Sequence, residues 1–161
     1  MKTMKILLQT IIFMFFAQTS YGQFITTWQT LRDDTTITIP TNSMYTYDYT
    51  VDWGDGTTST NQTGDASHNY ALKGTYTVSI SGTFPAIYVD YDSDAKSFLK
   101  TVEQWGDNPW KSMKGAFEGC EYFRILATDI QDLSNVCLLY TFDVYDEKDR
   151  LDRGVWLMCR R

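Results

Sequence analysis

From Tyr45 to Trp53 every second residue is apolar or aromatic. Tyr45, Tyr47, Tyr49, Val51 and Trp53 alternate with Thr46, Asp48, Thr50 and Asp52. A period of two puts the first set on one face of an extended chain and the second on the other, which predicts a half-buried strand. Gly54-Asp55-Gly56 ends it, because glycine allows the positive φ of a tight turn. Shorter stretches follow the same rule. Phe24 to Trp28 is β-prone, Thr35 to Ile39 alternates until Pro40, and Asn42-Ser43 makes a turn. Thr57 to Thr60 returns from the glycine turn as a hairpin arm, and Asn61 to Asp65 is a polar loop. Ala66 to Tyr70 leads into the Lys73-Gly74 turn. Thr75 to Ser81 alternates again, Gly82 breaks it, and Phe84 to Val89 reads as a last strand. Short strands rich in Thr, Tyr, Val and Ile, with turn residues every 8–12 positions or so, predict a mainly β fold of sandwich or barrel type.

The texture changes after Val89. Asp90-Tyr91-Asp92-Ser93-Asp94 opens an acidic, exposed connector over 90–98. Beyond it Met113, Ala116, Phe117 and Cys120 stand at i, i+3, i+4 and i+7, one apolar stripe of a helix about two turns long. Gly115 and Gly119 lie within it, so a single-turn helix that depends on its neighbours is expected. Ile125-Leu126-Ala127 and Leu133 to Val136 then read as short extended pieces. A short helix followed by a short strand is the form of one leucine-rich-repeat unit. Residues 137–161 match neither pattern: Leu138 to Val144 is apolar, Asp146 to Arg153 densely charged.

Residues 1–22 read as a secretory signal. Lys2 and Lys5 precede an apolar centre, and Ser20 and Gly22 stand at −3 and −1 of a cut before Gln23. The apolar stretch is shorter than the ~20 residues of a membrane-spanning helix, so no membrane span is expected after cleavage. Removing that segment takes the formal net charge from −6 to −8. This acidity argues against nucleic-acid partners and anionic membrane surfaces, and suits a secreted or cell-surface protein. Export permits a disulfide, but Cys120, Cys137 and Cys159 are odd in number and irregularly spaced. Cys120 reads most simply as a small buried apolar residue.

Chemistry is sparse. Asp52 and Asp55 flank Trp53-Gly54 and could form a carboxylate pair. The simpler reading gives Asp55 the backbone N–H groups of the turn and puts Asp52 on the polar face of its strand. His68 is the only histidine, no serine sits in a nucleophile turn, and cysteine and histidine show no zinc spacing. No catalytic, cofactor or metal site is expected on these grounds. Asp90, Asp92 and Asp94 open like a calcium loop, yet Ala95 replaces the glycine and Thr101 the bidentate glutamate. Trp105 and Trp110 have two readings: an exposed pair suited to sugar or peptide contact, or a buried pair sealing the repeat segment against the sandwich. Asn61-Gln62-Thr63 fits a glycosylation acceptor relevant only to a eukaryotic route.

Two resemblances organise these observations. VDWGDGT at 51–57, HNY at 68–70 and GTYTVSISG at 74–82 make residues 23–89 resemble a polycystic-kidney-disease-type (PKD-like) domain. The likeness implies an immunoglobulin-like β-sandwich with structural roles for Asp52, Trp53, Gly54, Asp55, Gly56, His68, Tyr70 and Gly74, with Tyr70 as the tyrosine that packs at a sandwich corner. LKTVEQWGDNPWKSMKGAFEGC at 99–120 and ATDIQDLSNV at 127–136 resemble the start of BspA-like leucine-rich-repeat surface proteins of bacteria. That likeness implies an adhesin-like, non-enzymatic protein whose partner is a protein or glycan at a cell surface or matrix. A carbohydrate-binding accessory module is the alternative. One repeat cannot bury its own apolar face, so the expected architecture is a sandwich followed by a short, incomplete α/β repeat segment, with 137–161 a truncated or frame-shifted tail or a cap.

Overall fold

The computed structural model describes residues 22–89, 93–120, 122–134 and 136. The segment expected to be a secretory signal, up to Tyr21, Asp90 and Asp92 of the acidic connector, and the tail from Cys137 onward, Cys159 included, lie outside them. Among the described residues, eight strands and one short helix make up the regular structure: β1 (Phe24–Thr30), β2 (Thr35–Ile39), β3 (Asp48–Asp52), β4 (Thr58–Gln62), β5 (Ala66–Tyr70), β6 (Gly74–Thr83), α1 (Ser93–Phe98), β7 (Leu99–Gln104) and β8 (Arg124–Ile125). Six strands form one sheet in the order β4-β3-β6-β1-β7-β8, and β2 pairs with β5 in a second, two-stranded sheet. Inward residues of both sheets, Trp28, Tyr49, Val51, Val78 and Ile80 from the first and Ile37, Ile39, Ala66 and Tyr70 from the second, share one apolar core. The fold is therefore mainly β and multistranded.

Burial follows the alternation closely. Tyr47, Tyr49, Val51 and Trp53 are buried, while Thr46, Asp48 and Asp52 are exposed. The strand itself is shorter than the pattern: pairing covers only Asp48–Asp52, although β6 continues past Ser79 to Gly74. β1 buries Phe24, Thr26, Trp28 and Thr30 on one face. The two threonines are accommodated by hydrogen bonds. Thr26 Oγ1 accepts from the Trp28 indole at 2.9 Å, and Thr30 Oγ1 accepts from Gly74 N at 3.0 Å. A buried hydroxyl without such partners would cost a few kcal/mol.

Several expectations need correction. Phe84 to Val89 is not a strand. Phe84, Ala86, Ile87 and Val89 are all buried, and Pro85 removes a ladder donor, so the segment runs as an irregular core filler. It is held by Tyr88 N to Pro40 O at 3.1 Å and Lys111 N to Pro85 O at 2.8 Å. Nor is 90–98 simply an exposed connector. Its second half is α1, which buries Ala95 in the core. The stripe Met113 to Cys120 buries Met113, Ala116 and Phe117 without forming a helix. Ala116 N bonds Met113 O and Cys120 N bonds Phe117 O, both at 3.2 Å. These are two separate turns, each with left-handed backbone at its third residue, Gly115 and Gly119.

β7 is the unanticipated element. It comes from the segment expected to begin a repeat array, yet it pairs antiparallel with β1 at the heart of the sheet. β8 then pairs with β7 in parallel, Thr101 opposite Arg124 and Val102 opposite Ile125. The Val102 carbonyl also accepts from Leu126 N at 2.8 Å and Ala127 N at 3.0 Å. Trp105, Trp110, Met113, Ala116, Phe117, Phe123 and Val136 belong to the same core as β1. No helix among the described residues is long and apolar enough to cross a membrane.

Candidate functional site

The turn between β3 and β4 is built by its own aspartates. Asp52 Oδ1 accepts from Gly54 N at 2.9 Å, and Asp55 Oδ1 accepts from Thr57 N at 3.0 Å and from the Thr57 hydroxyl at 2.6 Å. Each is an Asx-type bond that reaches two residues forward. Trp53 N donates to Thr57 O at 3.1 Å and closes the turn. Asp52 thus accepts from backbone, and Asp55 accepts from both the backbone and the side chain of Thr57, which is what a turn needs of them.

His68, on β5, meets this turn from the second sheet. Its ring stacks on Trp53 with centroids 5.0 Å apart and planes at 18°, and it stands edge-on to Tyr70 at 4.7 Å. Nε2 lies 2.7 Å from Asp55 Oδ2 and 3.4 Å from Thr57 Oγ1. The Tyr70 hydroxyl donates to Trp53 O at 2.7 Å, and its ring stacks on Tyr76. Burial, foremost, pushes the Tyr70 phenol well above its usual range, with the charges of Asp55 and Asp52 adding to it. Tyr70 is therefore a neutral donor that ties β5 to the end of β3. Trp53 is fully buried and its indole N–H donates to Ser59 Oγ at 2.9 Å. Gly74 opens β6, its N–H held by Thr30 Oγ1.

Threonine, histidine and aspartate come together here, but not as a nucleophilic relay. A relay needs the hydroxyl on one ring nitrogen and the carboxylate on the other. In this cluster both meet Nε2, and the hydroxyl donates to the carboxylate itself. The arrangement can brace the two sheets against each other at one end; it cannot pass a proton from Thr57 through His68 to Asp55.

The bracing has an electrostatic signature. Slight burial raises the Asp55 pKa, but hydrogen bonds from Thr57 and His68, the Thr57 N–H and the His68 charge outweigh it and bring the pKa down to about 2. An ordinary aspartate lies near 4. A carboxylate held below its unfolded value contributes its stability above that value and loses it as pH falls through the folded one. The thermal midpoint of the chain therefore drops between about pH 4 and pH 2. In Asp55→Asn this part of the drop is missing, while the midpoint at neutral pH is lower. An unchanged acid profile in the variant would show that Asp55 is not held in this way.

Trp105 and Trp110 lie in the core. Trp110 is fully buried and Trp105 is 4% exposed. Trp110 stands edge-on to Phe24 at 4.9 Å and to Trp105 at 5.9 Å, and Trp105 stacks on Phe24 at 6.0 Å. Neither presents a ring face to solvent, so this pair forms no platform for a sugar or peptide. Of the calcium-type run, only Asp94 falls among the described residues, on the exposed side of the first turn of α1. No group of three or more metal-ligating side chains occurs among the described residues. Cys120 is half-buried with no disulfide partner among the described residues, and burial pushes its thiol pKa up to about 11 despite Lys96 and Lys100 nearby.

One structural residue escaped the sequence reading. Asp129 accepts from Trp105 N at 3.1 and 3.0 Å and from Gly106 N at 2.8 Å, pinning the chain after β8 to the end of β7. Its only signal was an aspartate in a loop between apolar pieces. No family model, curated protein or solved structure matches the chain.

Proposed function

We propose that the chain is an exported, non-enzymatic surface protein of bacterial type. In this reading an immunoglobulin-like, PKD-like sandwich carries the first coils of a BspA-like leucine-rich-repeat segment, and the repeat segment binds a protein partner at a cell surface or matrix. The observation that carries the reading is the parallel pairing of β8 with β7, with partners 23 positions apart, Thr101 with Arg124 and Val102 with Ile125. Leucine-rich repeats return a parallel strand every 20–29 residues or so. The same step of 23 leads from Trp110 to Leu133 and from Met113 to Val136, and all four side chains pack into or against the core. A sheet that continues from a sandwich into parallel coils suits a carrier of a binding surface. The turn at Asp55, whose aspartates bond the turn itself and His68, supports a structural role for the front module.

An array of immobilised glycans and matrix proteins, probed with the exported chain, tests this. Retention on protein spots, with none on glycans, is the expected result. Retention on glycans alone would replace the reading with a carbohydrate-binding module, and release of soluble sugar from a polysaccharide would replace it with an enzyme.

A further inference from the structure

We draw no further inference here: the strongest candidate, the exposed apolar strip of Tyr122, Ile125, Leu126 and Ile130 beside the open edge of β8, carries nothing because nothing in the structure shows what covers it.

Discussion

Trp110→Ala lowers the unfolding free energy of the whole chain by about 3–5 kcal/mol, the usual cost of removing a large aromatic from a core. Total stabilities run to about 5–15 kcal/mol, so the loss is a large fraction of the whole. The size follows from position. Trp110 is fully buried and touches rings from three segments: Phe24 on β1, Phe84 in the irregular filler, and Trp105 just after β7. Truncation opens a void where the segment after β7 meets the sandwich, and Phe24, anchored in β1, collapses into it poorly. One term works the other way. Among the described residues the Trp110 indole N–H has no hydrogen-bond partner, so its removal relieves a buried unpaired donor. Trp110→Phe keeps most of the ring and drops that donor, and costs less than about 2 kcal/mol. Urea denaturation of the two variants checks the pair. A loss under about 1 kcal/mol for the alanine variant would mean that the aromatic cluster is not what joins the two parts.

Gly54→Ala is the second large effect, from backbone rather than core. Gly54 has φ +76°, a conformation that costs an L-residue roughly 1–2 kcal/mol. A methyl group there also collides with the Thr77 carbonyl oxygen on β6, with Thr77 N and C only 3.1 Å away. These are backbone atoms in a paired strand and cannot swing aside. The combined loss exceeds about 3 kcal/mol. Gly56→Ala separates the two causes. Its φ is +90°, but nothing lies within 4 Å of the added carbon. It pays the conformational part alone, roughly 1–2 kcal/mol. Thermal or urea unfolding of both variants reads the difference directly. Equal losses would remove the close approach of the turn to β6 from the explanation. The second glycine of the motif is thus required by φ alone, and the first by φ and by space.

What could be read in the sequence depended on range. The alternation from Tyr45 to Trp53 marks its buried face because a strand side chain has only two directions, and the structure buries Tyr47, Tyr49, Val51 and Trp53 and half-buries Tyr45. The aspartate and glycine turn was legible for the same local reason. β5 was harder, since Ser67-His68-Asn69 has no apolar rhythm and is held by pairing with Thr36-Ile37-Thr38. Phe84 to Val89 misled because a short apolar run with a proline fits a strand or a buried irregular segment equally well. The turns at Met113 to Cys120 carry a helical stripe, but left-handed backbone at Gly115 and Gly119 outweighs it over so short a length. The position of β7 was least legible. Leu99–Gln104 and Phe24–Thr30 are some 75 residues apart, and no local pattern announces which edge of a sheet a late strand will take. At the tip, Asp55 and Tyr70 could be given turn and corner roles from their motifs. That His68 joins them by stacking on Trp53 follows only once β5 is placed opposite the turn.

β7 is part of the sheet that holds β1, β3 and β6 rather than an appendage to it. Native-state hydrogen exchange in rising urea tests this most directly. The amide protons that bind β7 to β1, at pairs such as Thr27–Thr101 and Trp28–Leu99, are predicted to open at the same free energy as those binding β1 to β6 and β3 to β6. Exchange of the β7 amides through a separate, smaller opening, with the β3–β6 amides still protected, would contradict it.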